Sequence, residues 1–323
     1  MSDLRIISLI ASATEIVCAL GFREQLVGRS HECDYPPDVA TLPVCTRPKF
    51  DVEGTSREID ERVKESIRSS FDAQGLIQNA LAVYWVDAGL LEQLQATHII
   101  TQSQCEVCAV SLKDVEQAVC QITSSRPRIV SLEPNALSDI WLDINRTGDA
   151  LGAPDKAQTL IDRLTERMVQ IAEKAAGAES RPTVAYIEWI DPLMAGGNWM
   201  PELIEMAGGT NLFGSAGKHS PWMSWEQVLQ SDPDIIFVSP CGFDIARTKP
   251  ELRFLEQQPG WSDLKAVGNE RVFVADGNQY FNRPGPRVAE SLEILAETIH
   301  PELFNFRHEG SGWISHSGKV RPG

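Results

Sequence analysis

The chain has 323 residues, 42% of them hydrophobic, which is enough for two lobes of ordinary size, each with its own core. Acidic residues outnumber basic ones by 45 to 29 and the pI is near 4.8; with no basic run to offset this, nucleic acid and anionic membranes are excluded as partners. Apolar stretches such as THIITQ and DIIFVS fall far short of the roughly 20 residues a membrane helix needs, so no membrane insertion is expected.

The N-terminal MSDLRIISLIASATEIVCALG has the apolar content of a leader, but Asp3 lies near Arg5 and Ser8, Ser12, Thr14 and Glu15 interrupt the run. RIISLI therefore reads as a strand and residues 13–20 as a helix. As written, the sequence predicts a cytoplasmic protein, or a periplasmic one if a leader has been removed. Seven cysteines, an odd number in a chain with its own cores, fit reduced thiols better than a disulfide scaffold.

QLVGR is the next strand. The span from Arg47 to Ala80 shows no clear strand and many charges; it predicts a surface excursion with one amphipathic helix over 57–71, capped by Ser56. AVYWV and HIITQ come next as strands, then a helix over 112–121, the strand RIVSL and a helix over 135–151. Within APDKAQTLIDRLTERMVQIAEKAAGAESRP, Leu160, Ile161, Leu164, Met168 and Ile171 recur at helical spacing, with Pro154 near the start and Gly177 and Pro182 at the far end. One long helix is expected to join two lobes here, the alternative being a packing helix on one lobe. The second half repeats the plan with strands TVAYIE, DIIFVS and RVFVAD and helices near 200–207, 224–231 and 286–299. The fold class is α/β: two Rossmann-like lobes with largely parallel sheets, spanning 1–152 and 181–300, a linking helix over 153–180, and an irregular surface tail over 301–323.

In parallel α/β sheets ligands bind where loops leave the carboxyl ends of the strands. His31, Cys33 and Tyr35 follow QLVGR, Cys105 and Cys108 follow HIITQ, Glu133 follows RIVSL, Trp189 and Trp199 follow TVAYIE, Cys241 follows DIIFVS, and Tyr280, Phe281 and Arg283 follow RVFVAD. With Trp222 they form the candidate ligand-binding set, at one edge of each lobe, facing a cleft between the lobes. The aromatics supply flat apolar area, their alternative being core packing under the loops; Trp85 and Trp141 lie inside predicted elements and read as core. Arg283 and Glu133 suit either a ligand or a structural ion pair. His31, Cys33, Cys105 and Cys108 make a possible soft-metal set, zinc included. Direct contact with a ligand or its metal, a Cys105–Cys108 redox pair and plain packing stay open beside it. No G-x-S-x-G, P-loop, G-x-G-x-x-G or H-E-x-x-H occurs, so an enzyme is not expected; a cysteine nucleophile with His31 as base is the residual alternative.

RIISLIASATEIVCALGFREQLVGRSHECDYPP, the long helix, PELIEMAGGTNLFG, HSPWMSWEQVLQSDPDIIFVS and DGNQYFNRPGPRVAESLEILAE together resemble the cobalamin-binding members of the iron-siderophore and cobalamin substrate-binding proteins of ABC importers. The resemblance covers nearly all of residues 4–300. It implies a class III periplasmic-binding-protein-like architecture with one linking helix, a corrinoid (cobalamin or a relative) as ligand, and a monomer that docks to an ABC permease. Glu226 matches the second lobe's docking acid; the first lobe's falls near Gly89, with Asp87 and Glu92 close by. A metal or metal-chelate protein built on the His/Cys cluster is the alternative function.

Overall fold

The computed structural model describes residues 4–69, 84–102 and 123–318. These fall into two compact units, the first made of Met1–Gly54, Glu58–Pro134 and Ser138–Asp162, the second of Thr55–Arg57, Asn135–Leu137 and Arg163–Gly323.

The first unit contains β1 (Ile6–Ser8), α1 (Ala11–Ala19), β2 (Leu26–Arg29), β3 (Thr46–Pro48), α2 (Ser56–Ser69), β4 (Tyr84–Val86), α3 (Ala88–Leu94), β5 (His98–Gln102), β6 (Arg128–Leu132) and α4 (Leu137–Ala150), with α2 and α4 beginning in residues assigned to the second. Strands β2-β1-β5-β6 form a parallel sheet in that order. Ile6, Ile7, Ile99 and Ile100 are sealed because helices cover a parallel sheet on both faces, which is why these strands read as apolar runs rather than alternations. In α4, Ile140, Ile144 and Thr147 are buried at i, i+4 and i+7, the spacing of a single helical stripe. β3 and β4 pair antiparallel in a separate two-stranded ribbon, so the Tyr84–Val86 part of the expected AVYWV strand does not join the main sheet. The β3 partner was not legible because three residues ending in a proline carry no period.

The boundary between the units falls within α5 (Pro154–Ala176). Leu160, Ile161, Leu164, Met168 and Ile171 are all buried along it, and Gly177 comes directly after its last residue. The helix expected over 112–121 lies outside the described residues.

The second unit has β7 (Thr183–Trp189), β8 (Met194–Ala195), α6 (Met200–Met206), β9 (Thr210–Asn211), α7 (Trp225–Ser231), β10 (Ile235–Val238), α8 (Ile245–Glu251), α9 (Arg253–Glu256), α10 (Lys265–Gly268), β11 (Val272–Ala275), α11 (Val288–Ile299) and β12 (Trp313–Ser315). Its sheet runs β12-β11-β10-β7-β8, with β9 paired to the start of β7; β7, β9, β10 and β11 are parallel, and β8 and β12 antiparallel. Ala185, Ile187, Ile236, Val238, Val272 and Val274 carry one core face, closed by Trp225, Trp261 and Leu255.

The tail corrects the expectation of an irregular surface segment. β12 extends the sheet beside β11, and Trp313 is 2% exposed, edge-on to Phe273 at 5.4 Å. Its indole N–H donates to Glu297 on α11 at 2.8 Å, and the same carboxylate accepts from the Arg307 backbone N–H at 2.6 Å. His308 reaches Glu293 at 2.8 Å, and Arg167 donates to Glu293 at 2.7 Å. The two buried carboxylates of α11 thus find partners in the tail and α5, a pairing distant in sequence and invisible to periodicity.

Candidate ligand-binding site

Chain order places a switch point in each sheet. In the first, β1 is flanked by β2 on one side and β5 on the other; in the second, β7 is flanked by β9 on one side and β10 on the other. The loops leaving such neighbours diverge and open a crevice at their carboxyl ends.

In the second unit, Glu188 and Trp189 end β7, and two glycines shape the turn after β8. A Cβ on Gly196 would come within 2.4 Å of the Tyr186 ring, and one on Gly197 within 2.5 Å of the Lys218 carbonyl. Only glycine lets the 196–198 turn lie against both, and the fit is locked by Asn198 N–H donating to Lys218 O at 2.6 Å and Gly197 N–H donating to Ser220 Oγ at 3.0 Å. Ser220 in turn donates to Glu188 Oε1 at 2.9 Å. Burial pushes the Glu188 pKa up to about 7, against the lowering effects of Ser220, the nearby His219 and the Gly197 N–H.

The three loops that leave β7, β10 and β11 are tied edge to edge. Cys241 N–H donates to Glu188 O at 3.1 Å, and Asn278 N–H donates to Phe243 O at 3.1 Å. Trp189 packs edge-on against Phe243 at 5.3 Å and is 9% exposed; Trp199, at the head of α6, is 6% exposed. Cys241 is exposed, and Trp222 stands out at 56% exposed, bridged through its backbone to Met194 opposite the end of β7. Tyr280 is half-buried with the Arg287 guanidinium 4.5 Å above its ring. Arg283 is buried and donates to Asn278 Oδ1 at 3.2 Å, which ties the loop after β11 to itself. Phe281 corrects the ligand-contact expectation: a π-helical turn over Gly277–Phe281 carries it back under the sheet, where it is fully buried against Phe237 at 5.1 Å and Tyr186 at 6.1 Å.

In the first unit the loop after β2 is pinned by Cys45 N–H donating to Arg29 O at 2.7 Å and by the Arg29 guanidinium donating to Ser30 O and Ala40 O. His31 is half-buried; its Nδ1 lies 2.7 Å from Thr46 Oγ1, and its ring meets Tyr84 edge-on at 4.8 Å. Burial lowers its pKa, Glu32 opposing and Arg29 assisting. Cys33 is turned inward, 1% exposed, with Thr14 Oγ1 donating to its sulfur at 3.0 Å. Tyr35 is 41% exposed. Glu133 is exposed and its backbone N–H donates to Asp143 at 2.9 Å.

Cys105 and Cys108 lie outside the described residues. Among the described residues no group of three or more His, Cys, Asp or Glu side chains is arranged to hold a metal ion. Burial pushes the Cys18 and Cys45 thiols up to about 12, which leaves both protonated at neutral pH. Trp85 and Trp141 are half-buried rather than core, and Lys49 sits 5.6 Å from the Trp85 ring. Glu226 is exposed in the first turn of α7. Asp87 caps α3 through the Leu90 N–H, and Glu92 accepts from Ser124. Sequence reasoning passed over Glu188, Ser220 and Ser239; the available signal was the acidic residue two positions after Tyr186 at the carboxyl end of an otherwise apolar strand.

Two α/β units, with polar and aromatic side chains gathered at the carboxyl edge of the second, define a solute-binding protein. The sequence profile of the family described as Periplasmic binding protein matches residues 111–278, more than half of the chain, and the chain belongs to that family, which supplies substrate-binding components to ABC importers. It is 24% identical over 307 residues to an uncharacterized ABC transporter substrate-binding lipoprotein, YvrC, of Bacillus subtilis, covering 93% of this chain and 81% of the relative. It is 22% identical over 294 residues to a vitamin B12-binding protein of Vibrio cholerae, covering 90% and 86%. Solved structures of the same fold include a periplasmic heme binding protein of Pseudomonas aeruginosa (TM-score 0.69, 19% identity, 99% of each chain) and the periplasmic vitamin B12 binding protein BtuF of Vibrio cholerae (TM-score 0.60, 21% identity, 91% of this chain and 96% of that one). No helix among the described residues is long and apolar enough to cross a membrane.

Proposed function

We propose that the chain binds a corrinoid, cobalamin or a close relative, on the carboxyl-edge loops of its α/β units, as the substrate-binding component of an ABC importer, and that it performs no chemistry on the ligand. The observation that carries this reading is the pair of large aromatics left exposed in the loops that should meet a ligand, Tyr35 at 41% and Trp222 at 56%. Flat, exposed aromatic area held on well-anchored loops suits a broad macrocycle, because the surface needs little ordering when the ligand arrives. His31, four residues before Tyr35 in the same loop, offers an imidazole to a metal-centred ring. The relatives named as vitamin B12-binding proteins point the same way. Glu226, exposed in the first turn of α7, is the proposed contact for a permease.

The test is titration of the Trp222→Ala variant with cyanocobalamin. Affinity should fall about tenfold, a loss of about 1.4 kcal/mol, with a smaller effect on thermal stability than truncation of a core tryptophan because more than half of Trp222 is exposed in the free protein. Unaltered affinity would remove Trp222 from the ligand surface.

A further inference from the structure

The β3–β4 ribbon of the first unit grows out of the loop that carries His31 and Tyr35. Val44 is bridged in parallel to Arg29, the last residue of β2, and the Asp87 N–H donates to Cys45 O at 2.9 Å. The ribbon is therefore anchored at the carboxyl edge of the first sheet, and its two faces differ. Thr46 pairs with Val86 and Pro48 with Tyr84; Thr46 Oγ1 lies 2.7 Å from His31 Nδ1, and Tyr84 meets the His31 ring edge-on. Arg47 pairs with Trp85, and residues directly opposite one another in an antiparallel pair share a face, so these two side chains stand together on the other side.

A cavity of about 670 Å³ opens on this ribbon, with Val44, Thr46, Arg47, Trp85, Val86 and Asp87 in its lining. The Arg47 guanidinium lies 6.0 Å from the centre of the Trp85 ring and the Lys49 ammonium 5.6 Å from it, both within reach of the ring's electron-rich face. Arg47 is exposed, and among the described residues its guanidinium makes no ion pair; the ring is what positions it. Asp87 is committed elsewhere, its Oδ1 accepting the Leu90 N–H at 2.9 Å in the first turn of α3. Two cations gathered on one indole run against the balance of a chain with 45 acidic and 29 basic residues. A guanidinium presents a planar fork that matches the oxygens of a phosphate or carboxylate. Val44, Val86 and the Trp85 ring make much of the remaining lining apolar, which suits an anionic group carried on an apolar body better than an inorganic anion. The volume falls within the roughly 300–1,000 Å³ of pockets that take a whole small molecule, so there is room for more than a carboxylate arm.

We propose that this pocket is the subsite for the nucleotide appendage of a complete corrinoid. Arg47 donates to the phosphodiester oxygens, Lys49 adds a second positive charge beside it, and Trp85, Val44 and Val86 cover the apolar part of the appendage. This rests on the corrinoid reading above and extends it from the flat ring to the group that separates cobalamin from cobinamide, whose side chain ends before the phosphate. The propionates of a porphyrin share the negative charge but lack the attached base and sugar that a pocket of this size would hold. Because Arg47 is exposed, its attraction for the phosphodiester weakens as salt rises.

The experiment is calorimetric titration of the wild-type chain, Arg47→Gln and Arg47→Lys with cyanocobalamin and with dicyanocobinamide, at low and high salt, with haemin as a carboxylate-bearing probe. Arg47 is exposed, so neither substitution empties a core site. The proposal expects the wild-type chain to bind cyanocobalamin about tenfold more tightly than dicyanocobinamide, the size of one or two charge-assisted hydrogen bonds, with the preference shrinking at high salt. Arg47→Gln should remove most of that preference by weakening cyanocobalamin alone, and Arg47→Lys should keep part of it. A wild-type chain without the preference, or an Arg47→Gln variant that loses equally for both corrinoids or for neither, would overturn the subsite and leave the corrinoid reading standing. Haemin weakened by Arg47→Gln as much as cyanocobalamin would assign the guanidinium to any anionic arm and overturn the nucleotide assignment. No binding of either corrinoid by the wild-type chain would overturn the corrinoid reading and this proposal with it.

Discussion

Phe281 and Trp222 are both aromatic, both in segments that leave the second sheet, and indistinguishable by residue type as candidates for ligand contact. What separates them is backbone geometry: the π-helical turn after β11 folds Phe281 under Tyr186 and Phe237, whereas the backbone bridge to Met194 leaves the Trp222 ring exposed. A five-residue turn of that kind has no sequence period, so this difference could not be read ahead of the structure. The same holds for Cys33, placed with the ligand groups by its loop but turned onto Thr14. Loop membership was legible at the residue scale, and side-chain direction was not. The consequence can be measured: Phe281→Ala should cost about 3–5 kcal/mol of stability, the usual range for emptying a buried phenylalanine site, seen as a lower denaturant midpoint at unchanged slope. A cost under about 1 kcal/mol would mean that Phe281 is not the core residue described.

Long, strongly patterned elements were the legible ones. α5 has five apolar positions at helical spacing, all buried, while β7 and β10 are apolar runs enclosed on both faces. Short elements whose only support is a distant partner were not. β12 is three residues long and exists because β11 offers an edge and Glu297 accepts the Trp313 N–H. Trp313→Ala should therefore destabilise the second unit by about 3–5 kcal/mol, checked by chemical denaturation; a tail merely lying on the surface would show almost no change. The neighbouring Glu293 adds a pH signature. Burial pushes its pKa up, but hydrogen bonds and charge from His308 and Arg167 outweigh that, and the net shift is downward. A depressed carboxyl pKa stabilises the fold above the unfolded value, about 4.3, and that contribution is lost as pH falls through the folded value. Glu293→Gln should thus be less stable than wild type at pH 7, with the gap closing below about pH 4. A gap independent of pH would show that its charge contributes nothing.

For the molecule as a whole, the alternation of strand and helix established two α/β units, and the acidic surface with 45 Asp and Glu against 29 Lys and Arg removed nucleic acid from consideration. The resemblance supplied the family, to which the profile match assigns the chain. The proposed ligand rests on finer features: which aromatics stay exposed and how the loops that carry them are held. These arise from tertiary packing around Gly196, Gly197 and Thr46, and no single segment encodes them. The most direct test of the account is an equilibrium titration of the purified, reduced protein with cyanocobalamin, monitored by calorimetry at pH 6.5, with haemin titrated in parallel. The account predicts saturable binding of one cyanocobalamin per chain and markedly weaker binding of haemin. Stoichiometric haemin binding with no heat from cyanocobalamin would contradict it.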